Sequence, residues 1–154
     1  MTVVVRRGDR LDVPFLRSLL AFAYNWHVTH FETDVSISHY VDGWGRKGDT
    51  SCIAMEDGHS VGAGWFRLFP EDSPGYGYVD DATPEMTVVV IPTKQQQGIG
   101  EQLLDALIER AGDDGYPAVS VSVQRGDPDE ERFLERGFEP VREAGETVTL
   151  RRQL

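Results

Sequence analysis

Three glutamines and two glycines, Gln95-Gln96-Gln97-Gly98-Ile99-Gly100, stand between a run of Val and Ile and a periodic apolar helix. The run, Met86-Thr87-Val88-Val89-Val90-Ile91, has the composition of a strand covered on both faces and stops at Pro92. After the glycines, Leu103, Leu104, Leu107, Ile108 and Ala111 recur on one helical stripe, with Gly112 where a terminator belongs. Glycine has no Cβ, so a helix that opens on glycines can come close to a bound group. Its unpaired first amides point at that group, and the helix dipole favours negative charge. That combination would seat a pyrophosphate. A plain strand-turn-helix with a glutamine-rich turn would use the same residues. A Walker A loop is excluded because Glu101 and Gln102 follow Gly100 in place of Lys and Ser or Thr, and a Rossmann fingerprint because Leu103 occupies the third glycine position.

Other reactive residue types are sparse. His27 and His30 are three apart with Glu32 and Asp34 behind them, but no HExxH, cysteine set or distant ligand pair completes a site, so no metal is expected. Their expected use, with Trp26 and Phe31, is hydrogen bonding or contact with a substrate. Cys52, the only cysteine, rules out an intrachain disulfide and reads as a core thiol in a reducing compartment. Trp44 and Trp65 read as core or rim aromatics.

The elements that must position these residues alternate regularly. Val3 to Arg6 reads as a strand, and Asp12 as the cap of a helix carrying Leu16, Leu19, Leu20, Ala23 and Tyr24 on one face. The stretch from Tyr24 to Asp49 is less regular and has room for a second short helix and a substrate-side loop. Ser51 to Met55 and Ser60 to Phe69 form a hairpin around Asp57-Gly58, and Pro70 to Pro84 is a loop. Ala118 to Val123 is a buried strand. Asp127-Pro128-Asp129-Glu130 starts a helix with Phe133 and Leu134 on its apolar face and Gly137 at its end. Phe138 to Val141 and Thr147 to Arg151 close the chain as strands around Ala144-Gly145. The order is that of an α/β fold, a mixed central sheet with helices on both faces, in a single domain spanning 1–154.

Twenty-six acidic residues against fifteen basic ones give a net charge of -11, and the longest basic runs are the isolated pairs Arg6-Arg7, Arg46-Lys47 and Arg151-Arg152. Nucleic acid is therefore a poor partner, and a cationic or amine-bearing small molecule is easier to accept. The N-terminus has no signal-peptide order and no run approaches a membrane span, so the expected location is cytoplasmic, without membrane association. A homodimer is compatible with the sequence.

Gln95-Gln96-Gln97-Gly98-Ile99-Gly100 resembles the signature of the GCN5-related N-acetyltransferases: Gln or Arg, two residues, Gly, one residue, then Gly or Ala. Phe133-Leu134-Glu135-Arg136-Gly137-Phe138 resembles that family's aromatic-x-x-x-Gly-Phe helix end, and the order of elements agrees over essentially the whole chain. The resemblance implies acetyl-CoA as cosubstrate, with direct transfer of the acetyl group to an amine on a small molecule or peptide. It implies that Val88 and Val90 offer backbone groups to the pantetheine arm, and that the amides of Gln95, Gln96, Gln97, Gly98, Gly100 and Glu101 hold the pyrophosphate. The CoA arm would enter where two central parallel strands splay apart, here Met86 to Ile91 and Ala118 to Gln124.

Glu85, just before the central strand, is where similar proteins often carry a carboxylate facing the acceptor, and it is the first candidate for the base. A strand-capping carboxylate is the competing role, and Asp80 and Asp81 are weaker alternatives for the base. Where the family often has asparagine and tyrosine, this chain has Gly126 and Phe133. Gln124 is the candidate to take over the asparagine's hydrogen bonds, and the Phe133 ring would pack beside the pantetheine without supplying an acid. A non-catalytic acyl-CoA-binding regulator is the alternative that Phe133 keeps open.

Overall fold

A computed structural model describes residues 2–23 and 37–154. The second short helix and loop expected after Tyr24, with Trp26, His27, His30, Phe31, Glu32 and Asp34, fall on residues 24–36, outside the described residues. Seven strands form one mixed sheet in the order β1-β2-β3-β4-β5-β7-β6, flanked by helices. They are β1 (Val3–Arg7), β2 (Thr50–Glu56), β3 (His59–Arg67), β4 (Glu85–Val90), β5 (Ala118–Gln124), β6 (Glu139–Ala144) and β7 (Thr147–Gln153). The helices are α1 (Val13–Ala23), α2 (Ile99–Asp113) and α3 (Pro128–Glu135). The chain divides into two compact units, Met1–Phe66 with Thr87–Leu107, and Arg67–Met86 with Ile108–Leu154.

In the first unit β1 and β3 flank β2, both antiparallel to it. The hairpin between β2 and β3 turns on Asp57 and Gly58, both at positive φ (51° and 80°), the twist that a two-residue hairpin requires. Leu16, Leu19 and Leu20 of α1 are buried as their spacing predicts. The cap differs from expectation. Asp9, not Asp12, caps the chain's turn into α1: its side chain accepts from the Leu11 amide, and Asp12 returns a bond to the Asp9 amide. Asp12 is instead drawn to Arg6 at 2.7 Å, whose hydrogen bond holds its carboxyl below the usual carboxylate value. Val3 to Arg7 brings that guanidinium back over the turn, a contact with no signature in local spacing.

Helix α2 buries Leu103, Leu104, Leu107, Ile108 and Ala111, the stripe expected. Leu103 and Leu107 lie over Gly62 and Gly64 of β3. A Cβ on Gly64 would stand 2.7 Å from Leu107 Cδ1, and one on Gly62 3.0 Å from the Val89 carbonyl oxygen. Glycine is required there by close approach. Cys52 is buried with Sγ 3.9 Å from the Leu103 carbonyl, and burial pushes its thiol up to about 12, so it is an inert core thiol. Trp65 is fully buried and donates to the Tyr40 carbonyl at 3.2 Å, a core aromatic as expected.

The second unit contains β5, β6, β7 and the start of β4. Glu85 at the start of β4 pairs in parallel with Ser120 of β5, β7 runs antiparallel to β5, and β6 is antiparallel to β7. Helix α2 ends at Asp113, and the residue that terminates it is Gly115, not Gly112. Gly115 has φ +86°, its amide bonds to the Gly112 carbonyl and the Tyr116 amide to that of Ala111, which closes a Schellman motif. Gly112 lies within the last turn. The same motif ends α3 at Gly137 (φ +85°), where the Phe138 amide reaches the Phe133 carbonyl and the two rings pack edge to face at 5.2 Å. Leu134 is 42% exposed, so Phe133 alone forms the buried face of α3. A three-turn stripe is needed for a reliable second apolar position, and α3 has eight residues.

Candidate active site

The donor-side residues lie in the first unit. Along β4, Val89 is buried whereas Val88 and Val90 are partly open, the alternation of one strand face. Gly100 sits over that open face: a Cβ built on it would meet Val90 Cγ2 at 3.7 Å and Val88 Cγ1 at 4.0 Å, ordinary contact distances. Pro92–Lys94 forms a short 3-10 turn after β4, and Lys94 is drawn to the buried Glu56 carboxylate at 2.5 Å. Lys94 is the only cation between Pro92 and Gly100. Its ammonium is turned to Glu56 of β2.

Gln95 folds back and its side-chain amide donates to the Val90 carbonyl at 3.2 Å, tying the loop to the strand end. Gln96 (φ 64°) and Gly98 (φ +82°) both take left-handed backbone, which costs a non-glycine residue about 1–3 kcal/mol. The side chains of Gln95, Gln96 and Gln97 are exposed, and Gly98 and Gly100 half-buried. The helical ladder begins with the Gln102 amide on the Gly98 carbonyl. Gly98 has no side chain to cap the amides ahead of it, and an α-helix supplies them no acceptor of its own. Glu101 lies in this first turn, where its charge suits the dipole.

The remaining candidates lie in the second unit. Glu85 is the first residue of β4, is 1% exposed, and its Oε1 accepts the Gly77 amide at 2.9 Å. The Gly77 carbonyl accepts the Ser120 hydroxyl at 2.7 Å. No local pattern announced Gly77 or Ser120, because both matter through contacts between a loop and a strand far apart in sequence. Asp80 accepts the Ala82 amide, and Asp81 accepts the Tyr78 hydroxyl at 2.6 Å, which pushes that phenol up to about 12. Both aspartates are thus used within their own exposed turn. Gln124 ends β5, half-buried and paired with Thr147. Gly126 has φ +82°, and its amide donates to Glu130. Phe133 is 6% exposed and held against Phe138.

A family model described as the acetyltransferase (GNAT) family matches residues 14–138. The chain belongs to that family. Among solved structures, this family member resembles the N-acetyltransferase from Staphylococcus aureus Mu50 at 17% identity and a TM-score of 0.71, covering 100% of this chain and 98% of that one. It also resembles the ribosomal-protein-alanine N-acetyltransferase from Brucella melitensis (22% identity, 98% and 99% covered, TM-score 0.69). A third is the PaiA N-acetyltransferase from Thermoplasma acidophilum, solved in complex with coenzyme A (14% identity, 100% of both chains, TM-score 0.68). At these identities the likeness shows the GNAT fold. No curated protein sequence matches the chain significantly. Among the described residues no helix is long and apolar enough to cross a membrane, and no group of three or more His, Cys, Asp or Glu is arranged to hold a metal ion.

Proposed function

We propose that this GNAT chain transfers an acetyl group from acetyl-CoA to an amine in a direct ternary complex. The observation that carries the proposal is the helix start at Gly98–Gly100, whose glycines bring no side chain, with Lys94 paired to Glu56, set over the partly open Val88 and Val90 face. The amides of Gln95, Gln96, Gln97, Gly98, Gly100 and Glu101 hold the diphosphate in this reading, and the main chain at Val88 and Val90 receives the pantetheine. That the PaiA enzyme was solved with coenzyme A supports acetyl-CoA as the donor.

For the chemistry, the acceptor ammonium must lose a proton before its nitrogen attacks the thioester carbonyl. Glu85 takes that proton, directly or through water, and main-chain N–H groups near Val88 to Val90 stabilise the oxyanion that forms. Collapse breaks the carbon–sulfur bond and releases the CoA thiolate. Phe133 has no proton to give, but a thiolate is stable enough to leave before water or the departing amine proton reaches it. Gln124 stands in for the asparagine of similar proteins in holding the CoA arm. A cytoplasmic setting and an amine acceptor, small or peptide-borne, complete the reading.

The acceptor should be cationic, because the chain carries a net charge of -11. With amines matched in size and basicity, the doubly charged member of each pair is expected to show a several-fold higher kcat/KM in a thiol-release assay, shrinking as salt is added. Equal rates at low salt would remove this preference.

Phe133 favours a second reading, an acyl-CoA-binding regulator: its ring is buried and has no hydroxyl, at the position where the family resemblance implies a phenol. The transferase reading expects Phe133→Tyr to remain folded and active at a comparable rate. It expects Phe133→Ala to lose about 3–5 kcal/mol of stability in urea unfolding, because the Phe138 contact goes with the ring. If Phe133→Tyr converts an inert protein into a transferase, the regulator reading replaces it.

A further inference from the structure

Glu85 is held by a strap of chain, residues 76–78, and the strap is itself fastened by two side chains on other elements. The Gly77 amide donates to Glu85 Oε1 at 2.9 Å, and the carbonyl of the same glycine accepts the Ser120 hydroxyl of β5 at 2.7 Å; both bonds are buried. On either side, Arg142 of β6 donates through Nη2 to the Tyr78 carbonyl at 2.8 Å and the Tyr76 carbonyl at 3.4 Å, and it also meets Thr149 Oγ1 at 3.3 Å. Gly77 is pressed so closely onto β5 that a Cβ would stand 2.9 Å from the Ser122 nitrogen, 3.0 Å from the Val121 carbonyl carbon and 3.1 Å from Glu85 Cδ. From the other end, the Ser120 amide bonds to the Pro84 carbonyl at 3.0 Å, so β5 holds the residue before Glu85 as well.

We infer that Ser120 and Arg142 are positioning residues for proton removal by Glu85, acting through the Gly77 amide that Glu85 Oε1 accepts. The inference rests on the assignment of the base to Glu85. A glutamate side chain has several rotamers, and a carboxylate that must meet one ammonium proton gains from losing them before the substrate arrives. A buried N–H donor achieves this only while its own alignment holds, because hydrogen bonds weaken steeply as the angle opens. Ser120 fixes the Gly77 peptide from beneath, and Arg142 fixes its neighbours from the sheet edge. The donor also favours the ionised carboxylate over the acid, so loosening the strap makes Glu85 harder to ionise. The other charged groups on the elements concerned are Asp80 and Asp81 beyond the strap, Arg67 at the end of β3, Glu139 and Glu143 on β6, and Arg151 and Arg152 on β7. All are unchanged in the test below, which adds one charge control.

The test combines amide NMR of the whole protein with the rate of acetyl transfer from acetyl-CoA to the best amine of a panel of primary amines and short peptides. In the native protein the Gly77 amide signal should follow one carboxyl titration that Glu85→Gln abolishes. In Ser120→Ala and in Arg142→Gln its midpoint should move to higher pH by about half a unit to one unit. The acid limb of kcat should move with it, and kcat should fall about three- to tenfold with the KM for acetyl-CoA unchanged. Ser120→Thr, which keeps the hydroxyl, should restore the native midpoint. Arg125→Gln, which removes an exposed cation paired with Glu143 on the same strand β6, should change neither quantity. Arg142 lies on an exposed edge strand, so its variant carries the test even if Ser120→Ala fails to fold. An unmoved midpoint and limb in Arg142→Gln and Ser120→Ala, with the limb lost in Glu85→Gln, would overturn the positioning role and leave the base in place. Retention of the acid limb in Glu85→Gln would overturn the base assignment and the positioning role together.

Discussion

Replacing Gly100 by leucine is expected to weaken acetyl-CoA binding by about thirtyfold or more, a loss of about 2 kcal/mol, while the protein stays folded. The two halves of that expectation have separate grounds. Gly100 is in ordinary helical backbone, and a Cβ there would touch only Val90 and Val88 at 3.7 and 4.0 Å, so the protein itself tolerates a side chain. A leucine, however, would project over the half-open Val88 and Val90 face and across the first amides of α2, the surface the diphosphate and pantetheine must reach. Alanine at the same position adds only the one atom already accommodated and should bind nearly as well as glycine. Gly98 behaves differently: its φ of +82° makes any substitution strain the loop before a ligand is considered. Calorimetry with acetyl-CoA, paired with thermal unfolding of each variant, separates ligand exclusion from loop strain. A Gly100→Leu protein that binds acetyl-CoA like the native one places the donor elsewhere.

Glu85→Gln should lower kcat by about 10²–10⁴-fold at neutral pH and leave the dissociation constant of acetyl-CoA within about twofold. Glutamine keeps the shape of the side chain and an oxygen that can still accept the Gly77 amide, so the 2.9 Å contact that fixes this end of β4 survives the change. What disappears is the basic oxygen. The defect should shrink as pH rises towards the pKa of the acceptor ammonium, because the free amine then arrives already deprotonated. A loss of stability equal to the loss of rate would instead mark Glu85 as a strand-fixing carboxylate, the competing role that its burial and its bond to Gly77 also fit.

Much of this architecture was legible because it is written in local patterns. The stripe Leu103, Leu104, Leu107, Ile108, Ala111 could face only one way, and Asp57-Gly58 between two alternating runs makes a hairpin on stereochemical grounds alone. Asp127-Pro128 likewise starts α3, with the Asp127 side chain accepting from the Asp129 amide as a cap should. Misplaced elements fail for a common reason. Asp12 has the chemistry of a cap, yet Arg6 on a neighbouring strand claims it and Asp9 takes the position. Gly112 has the chemistry of a terminator, but α2 needs the left-handed residue three positions later to close its last carbonyls.

At the site the division is the same. The glycines of the signature and the strand before it are contiguous, so their arrangement could be read directly. A plain strand-turn-helix would use the same contiguous residues; what sequence could not carry is that Lys94 pairs with Glu56 and that Gly100 lies over Val88 and Val90. Gly77, Ser120 and Arg142 had no signal at all. A glycine in a glycine-rich loop, a serine in an alternating strand and an arginine on an edge are each ordinary residues until the fold brings them to Glu85.

The most direct test of the account is a structure of this protein with acetyl-CoA bound. The account predicts diphosphate oxygens within about 2.7–3.2 Å of amides between Gln97 and Glu101, with the pantetheine running along Val88 to Val90. A diphosphate held anywhere else, or no occupancy at saturating acetyl-CoA, would contradict it.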